Sequence, residues 1–132
     1  MNPYEYCYFL DERGEYHPIT NELQYNFARE SNRGVVYDTF GDFWISTIFT
    51  IKDLSEGENA KPLVFETAIL KKEAVNNYQP GMSPDIYFQD HYSSYEDAWI
   101  GHHEAVKQLM SGAITEPIPN DQLKYRDRTR FD

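Results

Sequence analysis

The sequence predicts an α+β domain: a mostly antiparallel sheet of about five strands, a long helix over about 94–111 packed on it, and a short helix near 21–31. Three observations predict it. In residues 42–51, Phe43, Ile45, Thr47, Phe49 and Ile51 alternate with Trp44, Ser46, Ile48 and Thr50, the period of a strand. After a polar linker, residues 62–70 alternate again, with Leu63, Phe65, Thr67 and Ile69 on one face and Val64, Glu66, Ala68 and Leu70 on the other. Residues 94–111 then change period. Tyr95, Ala98, Trp99, His102, Ala105, Val106, Leu109 and Met110 fall on one helical stripe.

The elements follow in order. YEYCYFL, residues 4–10, reads as a strand with Tyr4, Tyr6 and Tyr8 on one side, either an interaction row or a core face. Asp11-Glu12-Arg13-Gly14 reads as a turn, and EYHPI as a short return strand whose Pro18 places it at an edge. Thr20 or Asn21 can cap the helix NELQYNFARES, in which Leu23, Phe27 and Ala28 share a face; Gly34 is expected near its C-terminal cap. Val35 to Phe40 is a further strand, broken at Gly41. Large apolar groups on both faces of 42–51 predict a central position. DLSEGENA is a long hairpin connection, and KKEAVNNYQPGMSP, with its two prolines, a loop. DIYFQDH, residues 85–91, is the last strand. Ser93 and Glu96 form an S-x-x-E capping box for the long helix, Gly112 ends it, and Trp99 and Leu109 are expected to pack on the sheet.

After Gly112 the composition changes. EPIPND has two prolines, and KYRDRTRFD holds four of the twelve basic residues. The expected organisation is one domain over 1–112 and a basic tail over 113–132, able to fold back on the acidic body or to dock on a partner.

The 132 residues suffice for one ordinary domain with its own core. Hydrophobic residues are 40% of the chain, which argues against wholesale disorder. The formal charge of −10 disfavours direct nucleic-acid binding and docking on anionic membranes, and it suits a partner with a basic surface. Cys7 stands alone, so no internal disulfide or cysteine zinc cluster can form, and its aromatic neighbours mark it as a small core residue. With no apolar window of about 18 residues and no signal-like start, the expected location is the cytoplasm.

Chemistry-bearing residues are few. Glu66 stands where an apolar residue would fit; on a closed face it must be paired or protonated, on a wet face it needs no explanation. Ser46 and Thr50 share its face if the register allows. His102-His103-Glu104 invites a metal reading, but adjacent helical histidines point about 100° apart. H-E-x-x-H is absent, and His102, on the apolar stripe, reads as a hydrogen-bonded core histidine. Asp85 and Asp90, near Glu96 and Asp97, read as solvated surface or as an Mg²⁺ site. No nucleophile elbow, phosphate loop or dinucleotide fingerprint occurs, and no cofactor is expected.

Several stretches together resemble small proteins encoded in bacteriophage and prophage genomes: YFLDERGEYHPI, DTFGDFWISTIFTIKDL, KPLVFET and HYSSYEDAWIGHHEAVKQL. The shared marks are Ser46 and Thr47; Phe65, Glu66 and Thr67; and Tyr92, Ser93, Glu96, Ala98, Gly101 and His102. The likeness spans about residues 8–111. The linker here is longer and more acidic than in that group, and the basic tail is an addition. The resemblance implies a phage origin and an accessory role, and supplies no activity.

The function expected is therefore a non-enzymatic phage or prophage accessory protein that binds a host protein or a small ligand, in one version as an acidic inhibitor of a host defence or nucleic-acid-binding protein. Ser46, Thr47, Glu66, Trp99 and His102 are the candidate ligand-binding residues. The alternatives are a metal-dependent hydrolase or nuclease using Glu66, Asp85, Asp90 and His91, and a virion structural or assembly protein.

Overall fold

A computed structural model describes residues 2–125. Six antiparallel strands form two sheets: a hairpin of β1 (Tyr8–Leu10) and β2 (Tyr16–Pro18), and a four-stranded meander of β3 (Gly34–Phe40), β4 (Phe43–Phe49), β5 (Phe65–Lys71) and β6 (Phe88–Tyr92). Helix α1 (Glu22–Glu30) follows the hairpin, α2 (Lys72–Asn76) follows β5, and α3 (Tyr95–Met110) follows β6. The α+β class and the long helix stand as expected. β4 is central, between β3 and β5.

Register decides which side chains share a face. Ile45 pairs with Ile69, Thr47 with Thr67 and Phe49 with Phe65, and on this face Ala98, His102, Ala105 and Leu109 of α3 are buried. The other face carries Trp44, Ser46 and Ile48 opposite Leu70, Ala68 and Glu66. So the register does put Ser46 on the face of Glu66. That second face is covered too. From Gly112 the chain passes around the β6 edge: Ile114 packs with Ile45 and Ile69, and Ile118 and Leu123 pack with Ala68 and Leu70. The Ile118 N–H donates to Ile86 O at 2.8 Å. The first part of the expected tail thus lies on the sheet; Arg126, Arg128 and Arg130 lie outside the described residues.

Several boundaries differ from expectation. The strand expected over 4–10 is ordered as a strand only from Tyr8, because turns occupy 3–6 and Tyr6 takes φ +64°. Tyr4, Tyr6 and Tyr8 therefore form no strand row. Gly34 opens β3, and the cap of α1 is Ser31. The loop after β5 contains α2, and β6 starts at Phe88. The N-cap of α3 is Ser94, whose Oγ accepts from Asp97 N at 3.0 Å. Ser93 lies one residue too early, so Asp97 takes the place expected of Glu96.

The linker between β4 and β5 is pinned by a carboxylate. Buried Asp53 accepts hydrogen bonds from Ser55 N, Ser55 Oγ, Gly57 N and Leu63 N, at 2.7–3.1 Å. β4 leaves the sheet through a γ-turn centred on Ile51 at φ +68°, closed by Lys52 N donating to Thr50 O at 2.7 Å. A β-branched residue there is strained by about 1–3 kcal/mol. The hairpin is fastened to this turn. Tyr8 N donates to Ile51 O at 2.7 Å, and Asp53 N to Tyr6 O at 2.6 Å.

Candidate functional site

The five predicted residues do not form one site. Thr47 and His102 lie between the sheet and α3. Ser46 and Glu66 lie on the opposite face. Trp99, expected to pack on the sheet, stays at the surface of α3 beside Tyr95 and His103, because Ala98 and His102 already fill the contact line.

Under α3 runs a polar chain. His102 Nε2 is 2.8 Å from Asp38 Oδ2, and Nδ1 is 2.8 Å from Thr47 Oγ1. Thr47 Oγ1 in turn bonds Thr67 Oγ1. An ionised Asp38 only accepts, so Nε2 carries the proton, Nδ1 accepts from Thr47, and Thr47 accepts from Thr67. Burial pushes the His102 pKa down, and Asp38 partly opposes the shift. The carboxylate–imidazole–hydroxyl order matches that of a hydrolytic triad. Here, however, Thr47, Thr67 and His102 have no exposed surface, and only Asp38 reaches solvent. The sequence reading of His102 as a bonded core histidine holds. The Tyr92 hydroxyl faces Thr67, which offsets a little of the effect of burial, yet it makes no hydrogen bond of ordinary length and angle; burial pushes its pKa up to about 12. Gly101 makes room for this phenol. A Cβ there would stand 2.2 Å from the Tyr92 ring.

On the other face, His91 Nε2 is 3.0 Å from Glu66 Oε2, and both side chains are nearly buried. Of the closed and wet faces weighed for Glu66, the structure gives the closed one, with His91 as the partner. Glu66 lies opposite α3, and residues of the 113–125 segment close over that face, with Tyr125 edge-on to His91. Asp90 pairs with Thr67 and points to the α3 side, away from Glu66 and His91. Asp85 is exposed. The four residues of the hydrolase alternative are therefore not brought together.

The open concavity lies elsewhere, on the hairpin. A volume of about 680 Å³ is lined by Phe9, Leu10, Asp11, Glu12, Arg13, Glu15, His17 and Phe27. Leu10 pairs with Tyr16 and Phe9 with His17, so alternation puts Phe9, Asp11, Glu15 and His17 on one face. Asp11 Oδ1 accepts from Arg13 N and Glu15 N, while Oδ2 meets His17 Nε2 at 2.8 Å. The His17 hydrogen bond, aided by these backbone donors, lowers the Asp11 pKa. The His17 ring lies over Phe9 at 5.2 Å, and Phe9 meets Phe27 edge-on at 6.3 Å. Among the described residues, Asp11, Glu15 and His17 are the group that could hold a metal ion, with one ligand atom each within 4.8 Å of the others; their oxygen and nitrogen donors suit a first-row divalent ion.

The sequence reading gave this stretch as two strands joined by a turn over Asp11-Glu12-Arg13-Gly14, and named no site in it. The signal it carried was the alternation of an aromatic, two carboxylates and a histidine across a short hairpin. Of Leu23, Phe27 and Ala28, expected to share one helix face, Leu23 and Phe27 are 79% and 55% exposed and Ala28 is buried.

No protein-family model, curated protein or solved structure matches the chain.

Proposed function

We propose that the chain is a non-enzymatic accessory protein of a bacteriophage or prophage that binds a host protein with a basic surface. One observation carries the reading. The His102–Thr47–Thr67 chain and the Glu66–His91 pair are buried inside the fold, whereas the hairpin concavity joins an apolar floor to Asp11, Glu12 and Glu15. A closed network supports stability and specificity, and an open acidic rim on a chain of net charge −10 attracts cations. The resemblance over residues 8–111 supports the phage origin. No helix among the described residues is long and apolar enough to cross a membrane.

In its sharper form, the acidic surface occupies the nucleic-acid site of a host defence or regulatory protein. The test is recovery of the tagged chain with its partner from a bacterial host, followed by competition. Binding should weaken steeply with salt, and duplex DNA should displace the chain. A partner that binds equally well in high salt would refute the electrostatic reading. A salt-sensitive partner that DNA never displaces would refute mimicry alone. The hydrolase alternative makes a different prediction, a rise in Tm with Mg²⁺ or Mn²⁺ that is lost on changing Glu66 or His91.

A further inference from the structure

We infer that the face formed by the β1–β2 hairpin and α1 docks a basic segment of the partner protein that carries a Leu- or Phe-type anchor. This rests on the basic-partner reading above and gives it a place and a chemistry. Three features converge there. Phe27 lines the concavity and meets Phe9 edge-on, and Leu23, one helical turn earlier on the same side of α1, is the other exposed large apolar residue of that helix. The concavity beside them, about 680 Å³, is wide enough for one large side chain. Its rim presents three carboxylates, Asp11, Glu12 and Glu15, against one fixed cation, Arg13.

The carboxylates have separate tasks. Asp11 is spent inside the hairpin: Oδ1 holds two backbone N–H groups and Oδ2 meets His17. Glu12 and Glu15 make no side-chain hydrogen bond or ion pair with a described residue and are exposed. They are the groups that meet lysine or arginine. An apolar side chain in the concavity, flanked by cations, satisfies floor and rim together, the anchor-and-rim arrangement of protein interfaces.

Charge disfavours a same-face second copy and polyanions. A second copy would bring its own Asp11, Glu12 and Glu15 against the same carboxylates, and like charges oppose that pairing. A nucleic-acid backbone or an anionic lipid surface is repelled for the same reason.

The test uses the isotope-labelled full chain and three synthetic peptides of equal length: one alternating Lys with Leu, one with Glu replacing Lys, and one with Ser replacing Leu. Amide shifts locate binding, and fluorescence anisotropy gives Kd. The Lys/Leu peptide should shift residues 9–17 and 23–27 and bind at least about tenfold tighter than either control. The L23S/F27S and E12K/E15K variants should each lose about tenfold in affinity while the spectrum of the four-stranded sheet stays unchanged. Binding that shifts another part of the surface would overturn this site and leave the basic-partner reading standing. Failure of the Lys/Leu peptide to bind anywhere would overturn both. Equal binding of the Lys/Ser peptide would overturn the anchor. ZnCl₂ shifting Asp11, Glu15 and His17 without any peptide response would assign the face to a cation instead. Concentration-dependent shifts in the free chain would assign it to a second copy.

Discussion

Replacing His102 with leucine tests the buried network. The imidazole accepts from Thr47 and donates to Asp38. Leucine does neither. Thr47 can turn its proton toward Thr67, but the Thr67 proton then has only the Tyr92 phenol, outside ordinary hydrogen-bond geometry, so one buried hydroxyl is poorly satisfied in either arrangement. That costs about 1–3 kcal/mol. The lost bond to Asp38 adds about 1 kcal/mol, a charged hydrogen bond discounted because water reaches the half-exposed carboxylate. Extra apolar contact returns about 1 kcal/mol. The net loss near neutral pH is about 1–3 kcal/mol.

Its pH dependence is more diagnostic. Burial lowers the His102 pKa in the folded chain, so the unfolded chain binds more protons in the acidic range. The stability linked to neutral His102 is complete above the unfolded histidine pKa of about 6.5 and is lost as pH falls toward the folded value. The slope is at most about 1.4 kcal/mol per pH unit. H102L lacks it. Urea unfolding followed by tryptophan fluorescence, at about pH 7.5 and about pH 5.5, should show wild type and variant converging at the lower pH. Carboxylates common to both chains cancel in the comparison. A gap that stays constant or widens on acidification would refute the neutral, buried histidine.

Other substitutions address the remaining features. G101A should destabilise by about 1–3 kcal/mol in thermal melts despite a helix-propensity gain near 1 kcal/mol, because the new methyl meets the Tyr92 ring; an unchanged or raised Tm would show that the phenol moves freely. S94A should cost about 1 kcal/mol and S93A almost nothing, and the reverse order would restore the cap the sequence suggests. A double-mutant cycle of E66Q and H91Q should give a coupling of about 0.5–3 kcal/mol; zero coupling would make the 3.0 Å contact incidental. D53A should cost about 3 kcal/mol or more and expose the 54–62 linker to protease, since four donors lose their acceptor.

The parts of the fold that were legible in the sequence are those set by local period. β4, β5 and α3 announce themselves because strand alternation and helical spacing are properties of neighbouring residues. Their register even places Ser46 beside the column of Glu66. Closure was not legible. The cover over the Glu66 face comes from Ile118 and Leu123 on Ala68 and Leu70 and from Tyr125 beside His91, in a segment whose prolines and charges read as a tail. The pairing of Glu66 with His91 depends on strand order across 25 residues. Leu23 and Phe27 satisfy the i, i+4 rule, yet spacing does not say whether another element lies opposite, and it is Ala28 that is buried. Asp53 looked like one polar residue among several, and only the folded linker collects its four donors. The hairpin concavity needed its turn to be read as a continued strand face.

The two polar networks have a consequence for strand pairing. β4 is apolar on both sides, with Ile45 and Phe49 toward α3 and Trp44 and Ile48 away from it, so hydrophobicity alone hardly separates the native alignment from one shifted by a residue. Such a shift turns every β4 side chain to the opposite face. Thr47 would leave His102 without its hydroxyl partner, and an isoleucine or serine would face the imidazole instead. Thr47, bonded to both His102 and Thr67, thus serves as a key to the register. The gap between correct and slipped sheets rests on a few buried hydroxyls, a histidine and a carboxylate, and the large apolar groups that stabilise the fold take little part in choosing it.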